Sequence, residues 1–352
     1  MKQSFYLIFL LISIVQSLPT TTTKQQTSSI HRVDCFSDKT PFSNYSKESC
    51  LKRNCLYDDL HNFTLTPHLP QCYFPPNYGY VLQSKPENLS SNRLRYNLKR
   101  TTNVKNPPFP INSFENVLLD VEYYTNEILH FKLYNKDEKR YEVSDFSSYE
   151  VIKNSFFFCE VPISLHEPLS TTIQSPLYEF VPSSNTSDNN ELFTFVVKRR
   201  STNENVFDTS LGNLILSDQF LQIVIRLQSS NVYGMGENNH DTLKHQVDEY
   251  PSWGIFGRDQ AIDWATNANH YGTYPFYLVM EQNSSTGLPN GNMHGVLLLN
   301  SNAMDYSFTP IPSITLRTIG GILDFYVFLG PKPDEVIKQY TWLVGRPIMP
   351  PY

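Results

Sequence analysis

The chain has 352 residues, 40% of them hydrophobic and 14% aromatic, with a formal net charge of −6. That length and apolar content suffice for more than one domain with a buried core and exclude a disordered tail. The acidic balance and the absence of a large Lys/Arg cluster exclude a nucleic-acid partner, because phosphate binding needs concentrated positive charge.

The first residues, MKQSFYLIFLLISIVQSLP, carry one Lys, an apolar run from Phe5 to Val15 and small residues near Ser17. This is the layout of a secretory signal peptide over residues 1–17. The run is about half of the roughly 20 apolar residues that a spanning helix needs. No other segment is long enough, so the expectation is a secreted or lumenal protein with no membrane span. Residues 18–32 contain TTTTKQQTSS, which has nothing to bury and reads as a flexible linker. Sequons at Asn44, Asn62, Asn88, Asn185 and Asn283 are candidate N-glycosylation sites and fit the same compartment.

Four of the five cysteines, Cys35, Cys50, Cys55 and Cys72, fall in a segment rich in Pro, Asn, Asp and Tyr. In an oxidising compartment, so short a segment with little apolar content is held by disulfides. Four cysteines allow three connectivities, and their spacing does not choose among them. There is no C-x2-C knuckle, so no zinc site is assigned. DCFSDKTPFSNYSKESCLKRNCLYDD followed by QCYFPPNYGYVL resembles a P-type trefoil, of the kind that precedes the catalytic region of maltase-type α-glucosidases. The resemblance covers residues 33–80. The usual module has six half-cystines; here no cysteine precedes Cys35, and Leu56 stands where the fifth would be. What the resemblance implies is two bridges, Cys35 with Cys55 and Cys50 with Cys72. The bridge lost with the other pair is worth about 2–4 kcal/mol. The resemblance also implies a spacer beside a catalytic domain, with ligand binding by the trefoil itself as the second reading.

From Phe114 onward the pattern is β. NVLLDVEYY, EILHFKLYN, ELFTFVVKR, LQIVIRLQ, YPFYLVME, HGVLLLN and LDFYVFLG are each of strand length, β-branched or aromatic, and bounded by turn residues. Many strands with few helices predict a β-sandwich or barrel. The basic cluster Lys198, Arg199 and Arg200 reads as a solvated hairpin end. Cys159, in the apolar run SFFFCEVPI, reads as a small buried hydrophobe. Near the end, PKPDEVIKQYTWLVGRP has an early Pro333, acidic Asp334 and Glu335, spaced apolar residues and a stop at Gly345, which together predict a helix.

The residues that could carry chemistry lie between Val232 and Tyr274. VYGMGENNH has Gly234 and Gly236 but not the third glycine of a dinucleotide loop. His240, Asp241, His245, Asp248 and Glu249 do not match H-E-x-x-H, and read as a solvated loop without a metal. No cofactor is expected.

NVYGMGENNH, WGIFGRDQAIDWATNANHYGTYPFYLVME, HGVLLLNSNAMDYSF and the stretch from SITLRTIGG to GRPIMPPY resemble the N-terminal β-sandwich of family 31 glycoside hydrolases. With the trefoil, the likeness runs from Cys35 to Tyr352. It implies a mainly β fold: a disulfide-stapled trefoil, a galactose-mutarotase-like β-sandwich over residues 81–330, and a linker helix over 331–352 that leads to a (β/α)8 barrel. The resemblance further implies a parent that hydrolyses terminal α-glucosidic bonds of oligosaccharides with retention. Its two catalytic aspartates would lie beyond Tyr352, so no catalysis is expected of this chain alone. A sandwich that normally covers a barrel is also expected to expose a partner-binding surface.

GRDQAID, Gly257 to Asp263, holds two acids four residues apart. Retaining hydrolysis needs a carboxylate pair about 5–5.5 Å apart, one of them with a raised pKa, and nothing nearby supplies the apolar pocket for that. By resemblance, Asp259 is a substrate-binding residue that accepts hydrogen bonds from hydroxyls of the non-reducing-end sugar. Ala261 stands where an assisting threonine is common, and Asp263 is a loop acid. A solvated loop acid is the equal alternative for Asp259. At the level of the whole chain, the alternative is a stand-alone secreted module that binds carbohydrate or protein. Epimerase activity does not follow from fold kinship.

Overall fold

The computed structural model describes residues 32–36, 46–59, 69–101, 107–110, 112–143, 173–183, 191–248, 251–257, 259 and 268–345. The expectations for the signal segment, for most of the linker, and for Cys159, Asn44, Asn62, Asn185, Ala261 and Asp263 lie outside the described residues.

Among its described residues, the cysteine-rich segment builds a small unit from one short helix and one strand pair. Helix α1 (Lys47–Lys52) starts where the Ser46 hydroxyl accepts from the Ser49 amide at 3.1 Å, satisfying an otherwise orphaned donor. β1 (Leu56–Tyr57) pairs antiparallel with β2 (Cys72–Tyr73). Disulfides join Cys35 to Cys55 and Cys50 to Cys72, and all four half-cystines are buried. The Sγ atoms of Cys35, Cys55 and Cys72 lie within 4.8 Å of one another, but as half-cystines they offer no thiolate to a metal. Arg53 Cζ sits over the rings of Phe36 (4.0 Å) and Phe109 (4.4 Å), a cation over two ring faces.

Two sheets follow. Among the described residues, one has nine strands: β3 (Tyr80–Leu82), β4 (Glu87–Ser90), β5 (Arg93–Arg100), β6 (Asn116–Tyr123), β7 (Ile128–Asn135), β13 (Val232–Gly234), β15 (Phe276–Gln282), β16 (Pro289–Leu298) and β19 (Leu323–Phe328). Their order is β13-β15-β16-β19-β7-β6-β5-β3, with β4 also on β5. The other sheet has eight: β8 (Tyr178–Pro182), β9 (Phe195–Arg199), β10 (Asn205–Asp208), β11 (Ile215–Leu216), β12 (Leu221–Arg226), β14 (Ser252–Ile255), β17 (Met304–Thr309) and β18 (Ser313–Thr318). Its order is β14-β17-β18-β12-β10-β9-β8, with β11 on β12.

The period of two decides which face goes where. Along β7, Leu129, Phe131 and Leu133 enter the core between the sheets, while Ile128, His130 and Lys132 alternate with them. Phe131 of β7 meets Phe195 of β9 edge to face at 5.2 Å, joining the two sheets through the middle of that core. β12 is buried on both faces: Leu221, Ile223 and Ile225 join the inter-sheet core, whereas Val224 joins Ile215, Phe36, Phe74 and the half-cystines in the trefoil core.

Helix α2 (Pro333–Val344) covers part of the other face of the nine-stranded sheet. It begins with Pro333 in the first turn and a Lys332 amide that donates to Glu335 Oε2 at 3.0 Å, and stops at Gly345, whose φ is +86°. Tyr340 stacks on Phe276 at 4.2 Å, and Val336 sits so close to Gly295 that a Cβ there would approach it to 2.8 Å. Gln339 clasps Gly330 through both its amide and its carbonyl at 3.0 Å.

One expectation is corrected here. Arg199 is not part of a solvated hairpin end: alternation along β9 turns Phe195, Val197 and Arg199 inward, leaving Arg200 exposed. Arg199 is 2% exposed and pairs with Glu281 at 2.6 Å, with Glu281 also bonded to His294 Nδ1 at 3.0 Å. The basic triplet masked a cross-sheet ion cluster because its partners lie far away in sequence.

Candidate functional site

The stretch around Asp259 is held from three directions. β13 ends in a turn at Gly234, where φ is +103° and a Cβ would fall 2.4 Å from the Phe276 carbonyl oxygen, so only glycine fits. The turn presents Glu237 to the returning segment 268–274. Glu237 N donates to Gly272 O (3.0 Å), His270 N donates to Glu237 O (3.0 Å), and the Glu237 carboxylate accepts from Gly272 N (2.9 Å). Meanwhile β14 pairs with β17 in the register Trp253 to Tyr306 and Ile255 to Met304, and carries the chain toward Asp259.

Asn269 ties the two together. Its Nδ2 donates to Glu237 O (2.6 Å) and Gly272 O (3.1 Å), while its Oδ1 accepts from Phe256 N (2.9 Å). Three backbone positions from separate segments are thus fixed by one side chain, which satisfies groups that a loop would otherwise leave to water. Just beyond, a Cβ on Gly257 would lie 2.8 Å from Tyr271 O, so the two chains touch backbone to backbone. Asp259 emerges exposed from this bracket. Phe256, Tyr271 and Tyr274 are each more than half exposed at the same edge. Large aromatics in that state form a surface suited to being covered.

Beneath the bracket lies an aromatic floor. Trp253 packs against His240 (4.5 Å between ring centroids), Tyr306 (5.4 Å) and His245 (5.8 Å). The solvated-loop reading of the histidine stretch is therefore corrected for His245, which is 4% exposed with Nε2 at 2.9 Å from Gly234 O. Burial pushes its pKa below the ordinary histidine value, with the Gly234 carbonyl opposing. Asp241 and Asp248 are exposed, as a solvated loop requires.

Of the two described sequons, Asn88 is exposed on β4 and Asn283 is exposed at the β15–β16 hairpin. Asn283 Oδ1 accepts from Ser285 N (2.9 Å) and Thr286 N (3.1 Å). Sequence reasoning did not single out Asn269 or the Arg199–Glu281–His294 cluster. An isolated Asn gives no signal in one sequence, although strand alternation could have placed Arg199 inside. Among the described residues, no helix is long and apolar enough to cross a membrane.

Comparison with known proteins bears on this arrangement. The Trefoil (P-type) domain model matches residues 25–75. Intestinal sucrase-isomaltase of Oryctolagus cuniculus is 36% identical over 311 residues, covering 87% of this chain and 15% of the relative. Lysosomal alpha-glucosidase of Mus musculus is 36% identical over 326 residues, covering 91% of this chain and 29% of the relative. The chain carries a P-type trefoil and matches the N-terminal region of family 31 glycoside hydrolases. It spans less than a third of the length of these curated relatives. A solved glucosidase II alpha subunit superposes on this chain with a TM-score of 0.54 at 11% identity, covering 77% of this chain and 34% of that one, and supports the fold. Asp259 and its bracket thus lie in the part of the chain that aligns with these relatives.

Proposed function

We propose that the chain is the non-catalytic N-terminal part of a secretory-pathway α-glucosidase of the maltase type, and that Asp259 forms the rim of its sugar site. The observation that carries this reading is the exposed Asp259 at the mouth of the Asn269 bracket, beside the uncovered rings of Phe256, Tyr271 and Tyr274. An ionised carboxylate accepts strongly from sugar hydroxyls. The exposed rings supply a seat for a catalytic domain, which brings the acid pair of retaining hydrolysis. Two disulfides and two exposed sequons support passage through an oxidising lumen, with Asn88 and Asn283 as glycan acceptors.

The test has two arms. Incubated alone with maltose, the chain releases no glucose; sustained release overturns the reading. Joined to a family 31 catalytic region, Asp259→Asn lowers kcat/KM for maltose by roughly 10- to 100-fold, the loss expected for one or two charge-assisted hydrogen bonds. An unchanged kcat/KM removes Asp259 from the sugar site. If the isolated chain is a monodisperse monomer, the uncovered aromatic edge needs no catalytic domain, and the stand-alone binding module gains.

A further inference from the structure

The sugar-rim reading leaves the histidine pair below it unused, and His245 is the better defined of the two. Its Nε2 lies 2.9 Å from Gly234 O. A carbonyl only accepts, so that nitrogen carries the proton and Nδ1 presents a lone pair. Nδ1 is buried without a hydrogen-bond partner among the described residues, as is the hydroxyl of Tyr306, whose ring stands edge-on at 5.7 Å. The slot is aromatic: Phe308 at 5.2 Å, His240 at 5.3 Å and Trp253 at 5.8 Å complete it. The groups facing His245 from β13, β14 and β17 are thus the Gly234 carbonyl, Trp253, Tyr306 and Phe308, with His240 from its own loop. No described carboxylate reaches it, since Asp241 and Asp248 are exposed.

We propose that His245 is a positioning residue for the rim formed by Phe256, Gly257 and Asp259, holding it in place as a neutral imidazole and loosening it when acid protonates the ring. Two routes connect them. Through Gly234 O, His245 fixes the turn that presents Glu237, and Asn269 couples Glu237 O to Phe256 N. Through its ring, His245 supports Trp253, three residues before Phe256 on the same strand and its exit. Protonation would place a charge in an apolar slot that no described carboxylate faces, which is costly. Because burial lowers the folded-state pKa, the contribution is complete above the ordinary histidine value of about 6.5 and is lost as pH falls through the lowered one. This deepens the function proposed above by giving its sugar-contact rim a response to acidity. The test reads the order of the rim without any sugar, so either idea can fail alone.

Amide hydrogen exchange of residues 252–257 and 268–274 in the intact chain, corrected for intrinsic rates, is followed from about pH 7.5 to about pH 5. Protection of both segments falls, by up to about tenfold per pH unit inside the window, while β12 is unaffected. His245→Gln, which offers Gly234 O a donor that does not titrate, flattens the profile. His240→Gln retains it. Protection that does not change with pH in the wild type overturns the proposal without any variant. So does a fall that survives in H245Q, or one that disappears in H240Q.

Discussion

Replacing Glu281 with Gln is expected to remove about 3–5 kcal/mol of stability, the cost of breaking a buried pair by neutralising one member. Glu281 is fully buried, and its carboxylate accepts from Arg199 Nε (3.0 Å), Arg199 Nη2 (2.6 Å) and His294 Nδ1 (3.0 Å). In the variant the Arg199 charge keeps only the carbonyls of Leu329 (2.6 Å) and Met293 (3.2 Å) as partners beside a neutral amide. A second line of reasoning gives a similar size. Burial alone would raise the Glu281 pKa, but His294 and Arg199 outweigh it and hold the value at about 2 against an ordinary 4.5. That difference corresponds to roughly 3 kcal/mol. The sign follows: this stability is present above pH 4.5 and is lost as pH falls through about 2. Urea unfolding near pH 7 of the wild type, E281Q, R199M and the double variant closes a mutant cycle. The double variant is expected to be more stable than E281Q, since it removes the stranded charge. A loss below about 1 kcal/mol for E281Q, or strictly additive single effects, refutes the reasoning.

The opposite pH dependence is expected at His130. Burial opposes its charge, but Asp324 (2.7 Å) and Glu122 (3.6 Å) outweigh burial and raise its pKa, so its contribution is full below about 6.5 and is lost as pH rises through the raised value. The stability gap between wild type and His130→Gln in urea is therefore wider at about pH 5.5 than at about pH 9, and equal gaps contradict the assignment. Replacing Cys50 and Cys72 together with Ser opens a loop of 22 residues and costs about 3 kcal/mol in the same assay, with the trefoil core loosened. A change within error removes that bridge from the stability of the folded chain.

Much of the architecture was legible because strands are written as short β-branched and aromatic runs between turn residues. EILHFKLYN and LQIVIRLQ are such runs, and they became β7 and β12. The helix near the end was legible from its start and stop signals, since Pro333 and Gly345 act locally. The site was less so. Resemblance pointed to Asp259, but what holds it depends on Asn269 reaching backbone groups 32, 13 and 3 positions away at once. Arg199 was misread for a related reason: a triplet of cations looks solvated until Glu281, 82 positions away, is brought against it. His245 was misread because a polar neighbourhood in sequence became an aromatic one in space.

The two-faced burial of β12 has a consequence for how the protein can be dissected. Val224 and Ile215 belong to the trefoil core, while Leu221, Ile223 and Ile225 on the same ribbon belong to the sandwich. Excising the trefoil would therefore strip one side of a central strand and leave a greasy scar. Two modules that look separable by cysteine count should melt in one cooperative step, and a gene cut between them would yield neither half intact.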